Sequence, residues 1–378
     1  MDPIKHSVTG IINQTIRCLI ALSLALPGMA NSQESAPATL VAKDGTYPTV
    51  PLIKESIVVK VVQNGVRNLE DYPTVAEGLA ANLSIMSDWV EQACSEGPSP
   101  DFVLFNEFPL TGYSTKNRKE KLEFTLQIPG PETEHLGKLA KDCDTYLIFG
   151  SYARDEQWPG HILSINTVIG RDGAIAKKFW KTRNVKRLGN TGEIPTTTIE
   201  SVRDRYRELY GIDEEFPVLR TEYGNIAVST VQLDPFVFAA FAMRGTEILF
   251  RTATVFSKED VLASARFHNV YSAMSNITFP EGSNYESWGG RSLIVSPKGE
   301  VLAEQPDNSE TIIAAEIPIA EFRENRRLPR YPLEVVAPVF EQYVDEIPLN
   351  HMDMPADAMP KDRAEMKDLL DRRSRWLN

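Results

Sequence analysis

A layered α/β fold is the architecture this sequence predicts. Apolar runs of strand length alternate with stretches of helical spacing, and two pairs of runs meet at short turns, so part of the sheet is antiparallel. The 378 residues suffice for one large α/β domain or two ordinary ones.

The elements follow in order. "SIVVKVVQ" (56–63) is a short apolar, β-branched run and reads as a buried strand. "TVAEGLAANLSIMSDWVEQACSEG" places Val75, Leu79, Leu83, Met86 and Val90 at helical spacing, and Gly97-Pro98 ends it. "DFVLFNEF" (101–108) is the next strand and "TEHLGKLAKDCD" the next helix. "TYLIFGSYAR" and "SINTVIGRDGAIAKKFW" add strands, the latter broken by an Arg-Asp-Gly turn at 171–173. Beyond a long polar stretch come "GNIAVSTVQLD" (strand), "PFVFAAFAMRG" (helix), "TEILFRTAT" (strand) and "KEDVLASARFHNVYSA" (helix). A hairpin around Lys298-Gly299 and "TIIAAEIP" close the pattern. From about residue 328 the text turns Pro-rich and then charged, "MPKDRAEMKDLLDRRSRWLN", as in tails that pack on a partner subunit.

Composition excludes some functions. A net charge of −12 is the wrong sign for nucleic acid, and the composition is that of a soluble globular protein. No His or Cys pair has ligand spacing, so neither a metal nor another cofactor is expected. Lys5, His6 and Arg17 precede "CLIALSLALPGMA", which ends in small residues. Residues 1–30 thus read as an export signal with Ala30 the last residue removed, an uncleaved anchor being the alternative. Cys18 lacks the small apolar residues of a lipoprotein box before it. Residues 31–55, rich in Ser, Pro, Ala and Thr, are a linker or loose arm. The mature chain keeps Cys94 and Cys143, either bridged in an oxidising compartment or left as two buried thiols.

Two groups stand where chemistry is possible. Glu107 ends the apolar run "DFVLF" and enters a Pro-Leu-Thr-Gly turn, a good position for a pocket carboxylate. Lys181 ends "AKKFWK", and an ammonium just after a strand can stabilise an oxyanion. Either alone reads equally as a surface charge. Together, "FNEFPLTGYS", "GAIAKKFWKTRN", "AMRGTEILFRTAT", "ARFHNVYSAMSN" and "GGRSLIVSPKGEVLAE" resemble, in order, segments of the nitrilase or carbon–nitrogen hydrolase superfamily over residues 56–327. "MRGTEILFRTATVFSKED" leans towards the aliphatic amidase and formamidase branch.

The resemblance implies a four-layer α-β-β-α sandwich with mixed sheets, assembled as a homodimer or higher homo-oligomer. It also implies hydrolysis of a non-peptide C–N bond by Glu, Lys and a Cys thiolate. Residue 328 onward would then be an oligomer-contact arm. The chain departs from the pattern where Ile-Cys-x-Asp is expected: it has Val231-Gln232-Leu233-Asp234, and no cysteine follows Cys143. Thr230, Val231 or Gln232 occupies the nucleophile position. Glu200, Glu208, Glu214 and Glu215 compete for the second family glutamate, and His268 replaces another. His135, His161 and His351 have no nucleophile context.

The expected protein is an exported nitrilase-fold member without thiol chemistry, a pseudoenzyme that binds a small polar, amide-like or anionic ligand. The alternative is an amidase acting through Thr230, Ser229 or water activated by Glu107. An interaction role for the tail is the third reading.

Overall fold

The computed structural model describes residues 44–65, 67–114, 116–184, 196–283, 286–344 and 360–372. The expected export signal, arm residues 31–43 and His351 lie outside these residues. Among the described residues no helix is long and apolar enough to cross a membrane.

In chain order β1 (Ile57–Gln63) is followed by α1 (Val75–Ser95), β2 (Phe102–Leu104), α2 (Arg118–Glu123), β3 (Leu126–Gln127) and α3 (Pro131–Cys143). Then come β4 (Tyr146–Arg154), β5 (Leu163–Ile169), β6 (Ile175–Trp180), α4 (Arg203–Tyr210), β7 (Leu219–Thr221) and β8 (Gly224–Ser229). The chain continues through α5 (Pro235–Met243), β9 (Ile248–Thr252), α6 (Lys258–His268), β10 (Tyr271–Ser275), β11 (Leu293–Val295) and β12 (Val301–Glu304). Last are β13 (Thr311–Ile317), α7 (Ile319–Asn325), α8 (Leu333–Glu341) and α9 (Arg363–Arg372).

Two sheets result, ordered β13-β1-β2-β4-β5-β6 with β3 on β4, and β12-β11-β10-β9-β8-β7. Within β1 the alternation of side chains decides the layers. Ile57, Val59 and Val61 face the second sheet, whereas Val62 joins the helices α1 and α3 on the outer face. Lys60 shares that outer face, buried, and its ammonium satisfies the carbonyls of Ala93 and Glu96 at the C-terminal end of α1. Between the sheets, Phe102 meets Phe250 with ring centroids 5.2 Å apart. Phe238 and Phe241 of α5, and Val261 and Ala265 of α6, cover the far side of the second sheet. The four-layer mixed-sheet sandwich is therefore the fold observed.

The parallel strands β1, β2 and β4 of one sheet and β8, β9 and β10 of the other carry the site-forming turns at their C-terminal ends. Caps stop and start the helices where the sequence offers them: Thr74 accepts from the Glu77 N–H at 3.2 Å, and Ser257 from the Asp260 N–H at 3.3 Å.

Several expectations are corrected. The strand expected over 101–108 closes at Leu104, because the Asn106 side chain bonds the Phe108 N–H at 2.9 Å and bends the chain. The strand expected to run to Asp234 ends at Ser229 for a similar reason, described below. "KEDVLASARFHNVYSA" is not one helix: Asn269 takes the left-handed conformation, φ 51°, ending α6 and releasing Tyr271–Ser275 as β10. Residues 44–55 carry no regular structure but are docked, not loose. Tyr47 bonds Glu247 at 2.8 Å, and the Pro48 carbonyl accepts from Asn225 at 2.8 Å. Of the tail, α9 packs on its own chain, burying Met366 and Leu369, while α8 leaves Val335 and Val339 exposed. Cys94 and Cys143 form a disulfide from the end of α1 to the end of α3, Cα atoms 5.8 Å apart.

Candidate active site

The first wall of the site hangs from the first sheet. Glu107 lies in the turn after β2, only 4% exposed. Two neighbours fix that turn. Asn106 reaches back to the Asn64 side chain at 2.9 Å, and Gly150 of β4 lets the Glu107 backbone lie against it. A Cβ at Gly150 would come within 2.5 Å of the Glu107 carbonyl oxygen, so no larger residue fits there without moving the turn. Ser164, entering β5, places its hydroxyl 3.4 Å from Glu107 Oε1. Lys181 follows β6, 9% exposed, with its Nζ 3.2 Å from the same oxygen. Its backbone is held on both sides, its N–H bonding the Ser164 carbonyl and its carbonyl accepting from Ile199. Taking these two charges out of water is costly, and each needs the other nearby.

The second wall is the turn between β8 and α5. Ser229 spends its hydroxyl on the Val231 N–H, 3.2 Å away, which reverses the chain and ends β8. Thr230 is buried, and its hydroxyl has no hydrogen-bond partner. The last rung of β8 on β9 pairs Ser229 with Arg251, one residue before Thr252. Thr252 in turn donates at 2.5 Å across to Asn166 of β5, whose Nδ2 is buried without a partner. Asn166 and Ser164 are two residues apart on one face of the strand, about 7 Å. Thus a row of small polar groups runs from Thr252 of the second sheet towards Glu107.

Arg251 grips this second wall from behind. Fully buried, it bonds the Val231 carbonyl at 2.8 Å and Asp260 at 2.6 Å, with its guanidinium 4.1 Å from the Phe238 ring centroid. Burial pulls its pKa below the usual guanidinium range against the pull of Asp260. Next in sequence, Gln232 is half-buried, and Leu233 is 74% exposed at φ 54°. Asp234 then caps α5 ahead of Pro235 and receives Arg183 at 2.9 Å.

The structure therefore brings Glu107 and Lys181 together and leaves the buried Thr230 hydroxyl without a hydrogen-bond partner. Val231 contributes its carbonyl, directed to Arg251. Of the four glutamates weighed for the second family position, Glu200 is the one beside this wall, 3.5 Å from Arg183. Glu214 pairs with Lys177, Glu215 with Arg203 and Arg207, and Glu208 is exposed.

The histidines serve elsewhere. His135 meets Ser87, His161 meets Thr197, and His268 bonds the Tyr331 hydroxyl. Burial first, then the Arg251 charge, pushes His268 down to about 4. Sequence reasoning did not single out Ser164, Asn166, Thr252, Arg183 or Arg251 for the site. Only the Arg inside "EILFRTAT", a charge in a buried strand, was a visible signal. Among the described residues no group of three His, Cys, Asp or Glu side chains could hold a metal ion.

Residues 61–327 match the family model for carbon-nitrogen hydrolases. The omega-amidase NIT2 of Xenopus tropicalis is 30% identical over 267 residues, 67% of this chain and 90% of that protein. Human omega-amidase NIT2 is 27% identical over 255 residues, 65% and 88% respectively. Neither relative carries the aliphatic amidase or formamidase name suggested by residues 243–260. Among solved structures, the amidase from Nesterenkonia sp. superposes with a TM-score of 0.53 at 16% identity, covering 78% of this chain and 98% of that one. Saccharomyces cerevisiae Nit3, of branch 10 of the nitrilase superfamily, gives 0.55 at 18%, covering 79% and 97%. In a variant of the Nesterenkonia sp. AN1 amidase, the acetamide moiety of fluoroacetamide is added covalently at the active-site cysteine. The family match and the fold agree: this chain belongs to the carbon–nitrogen hydrolase family and has the nitrilase fold.

Proposed function

We propose that this protein is a nitrilase-fold member that binds a small amide-like or anionic ligand at the Glu107–Lys181 pair and lacks thiol-based hydrolysis. The carrying observation is the pairing of an intact charged wall with a turn that offers no sulfur. Anchored at Asp234, the cap of α5, the pattern Ile-Cys-x-Asp falls on Val231-Gln232-Leu233-Asp234, which favours Gln232 over Thr230 and Val231 for the nucleophile position. Cys94 and Cys143, the two cysteines among the described residues, are consumed by their bond.

A second reading has its own support. The Thr230 hydroxyl is buried and unpartnered, so hydrolysis by an alcohol or by water, with Glu107 as base, is the alternative. The disulfide supports export to an oxidising compartment. The exposed apolar residues of α8, with Phe340 packed 5.2 Å from Phe236 of α5, support homo-oligomer formation.

The test is ammonia release by the chain from residue 31 onward with small amides, N-carbamoyl amines and nitriles. Glu107→Gln, Lys181→Ala and Gln232→Cys proteins run beside it, and calorimetry follows binding of the same compounds and of small carboxylates. The expected result is binding without turnover in the unmodified protein and turnover gained by Gln232→Cys. Wild-type turnover abolished by both Glu107→Gln and Lys181→Ala would sink the non-catalytic reading in favour of the alternative.

A further inference from the structure

The inner face of the first sheet can be followed rung by rung beneath Glu107. In the uppermost rung Ser164 of β5 stands beside Lys181, whose N–H bonds the Ser164 carbonyl at 3.0 Å. In the next, Asn166 stands between Gly150 of β4 and Phe179 of β6. In the third, Ile148 pairs with Val168 inside the apolar core between the sheets. Side chains of directly paired residues share a face, with Cβ atoms about 5 Å apart. A Cβ at Gly150 would come within 2.8 Å of the Glu107 Cα. The Glu107 backbone therefore fills the place beside Asn166 that a side chain on Gly150 would take. Asn166 forms the floor of the charged group, with Glu107 to one side and Ser164 and Lys181 one rung above.

Asn166 is fully buried, and from the opposite sheet the Thr252 hydroxyl donates to its Oδ1 at 2.5 Å. That bond anchors the carboxamide and leaves Nδ2 buried without a hydrogen-bond partner. A buried amide donor left unmet costs about 1–3 kcal/mol. The rung below is apolar, so the missing acceptor has to come from the Glu107 side.

We propose that Asn166 is a ligand-contacting, specificity-determining residue: its carboxamide, anchored by Thr252, donates from Nδ2 to an oxygen of a carboxylate or carboxamide held between the sheets. The inference rests on the ligand-binding reading above and adds the residue that selects the ligand's polar end. A ligand without an acceptor oxygen leaves Nδ2 buried and unpaired, and sites built in that way discriminate strongly. Thr252 is the positioning residue, because it holds Oδ1 and so decides which way Nδ2 faces.

The test uses propionate and propionamide as probes. Crystals of the wild-type protein grown with each probe report the surroundings of Nδ2. Calorimetry reports affinity for wild type, Asn166→Asp and Thr252→Val, and thermal melting shows that each is folded. The expected crystal structure has a probe oxygen within hydrogen-bond distance of Nδ2. Asn166→Asp keeps the side-chain shape and the Thr252 bond but replaces the donor by an acceptor. Its affinity for propionate should fall roughly 10- to 100-fold. Propionamide should lose less, because its own NH2 can donate to the introduced carboxylate, whereas structural damage alone would weaken both probes alike. Thr252→Val is the second variant should Asn166→Asp fail to fold. It should weaken both probes roughly 3- to 10-fold, with the Asn166 carboxamide turned in its crystal structure. A bound probe with Nδ2 facing only water or a protein group overturns the proposal and leaves the ligand-binding reading standing. So does an Asn166→Asp protein whose preference between the two probes is that of wild type. If wild type binds neither probe, both readings fail together.

Discussion

The two walls of the site are built by opposite means. On the first sheet, Glu107 and Lys181 are charged, buried and tied to one another, with Ser164 completing the set. On the second, the facing groups are neutral, and the charges lie behind or beside the turn: Arg251 on the Val231 carbonyl, Arg183 on Asp234. One wall carries its electrostatics on paired side chains, and the other uses electrostatics to hold its backbone. A substitution in such a backbone wall can change the chemistry without disturbing the charged wall opposite. A chain can therefore keep the family's fold and polar pair while its reaction is altered.

Breaking the first wall has the largest expected effect. Lys181→Met leaves Glu107 buried without its cation, and a broken buried pair costs about 3–5 kcal/mol. Urea unfolding measures this, and a loss under 1 kcal/mol would mean that water already solvates Glu107.

Behind the second wall, His268 gives a pH signature. Its pKa is depressed to about 4, whereas the unfolded chain protonates near 6.5. Its contribution is complete above pH 6.5 and disappears as pH falls towards 4, a slope integrating to roughly 3 kcal/mol. A His268→Gln protein should show a flatter melting curve over that range. Parallel curves would rule out His268 as the source.

Asp234 tests the join between the walls. Asp234→Ala removes the α5 cap and the Arg183 partner and should cost about 1–2 kcal/mol, whereas Asp234→Asn keeps the cap and should cost less. Equal losses would assign the effect to the ion pair. The smallest effect is a gain: Leu233→Gly relieves a left-handed, exposed leucine and should stabilise the chain by about 0.5–1 kcal/mol. Thermal melting checks it, and a loss would mean that the Leu233 side chain is covered in solution.

The layers were legible in the sequence because burial writes itself as periodicity. "SIVVKVVQ" and the α1 stripe could be read directly, and so could Glu107 and Lys181 once their segments were seen in order. The second wall was not. "GNIAVSTVQLD" looks like an unbroken strand, and nothing local announces that Ser229 turns its hydroxyl on the Val231 N–H. "ARFHNVYSA" hid a helix end for a comparable reason, since an asparagine in the left-handed region looks like any polar helix residue. Cross-sheet partners such as Asn166 and Thr252 are 86 positions apart, and no pattern within a single element joins them.

The Cys94–Cys143 bond has a consequence for how this site comes into being. Its 49-residue span encloses Glu107 but not Lys181, nor any residue of the β8–α5 turn. Closing such a loop is worth about 4 kcal/mol of chain entropy. The oxidising step that seals it therefore acts on one wall alone. A chain made and kept under reducing conditions would carry a fully specified elbow opposite a carboxylate whose supporting segment is held less firmly. Biogenesis then becomes part of the site's chemistry, because the oxidation that closes the bond also finishes the first wall.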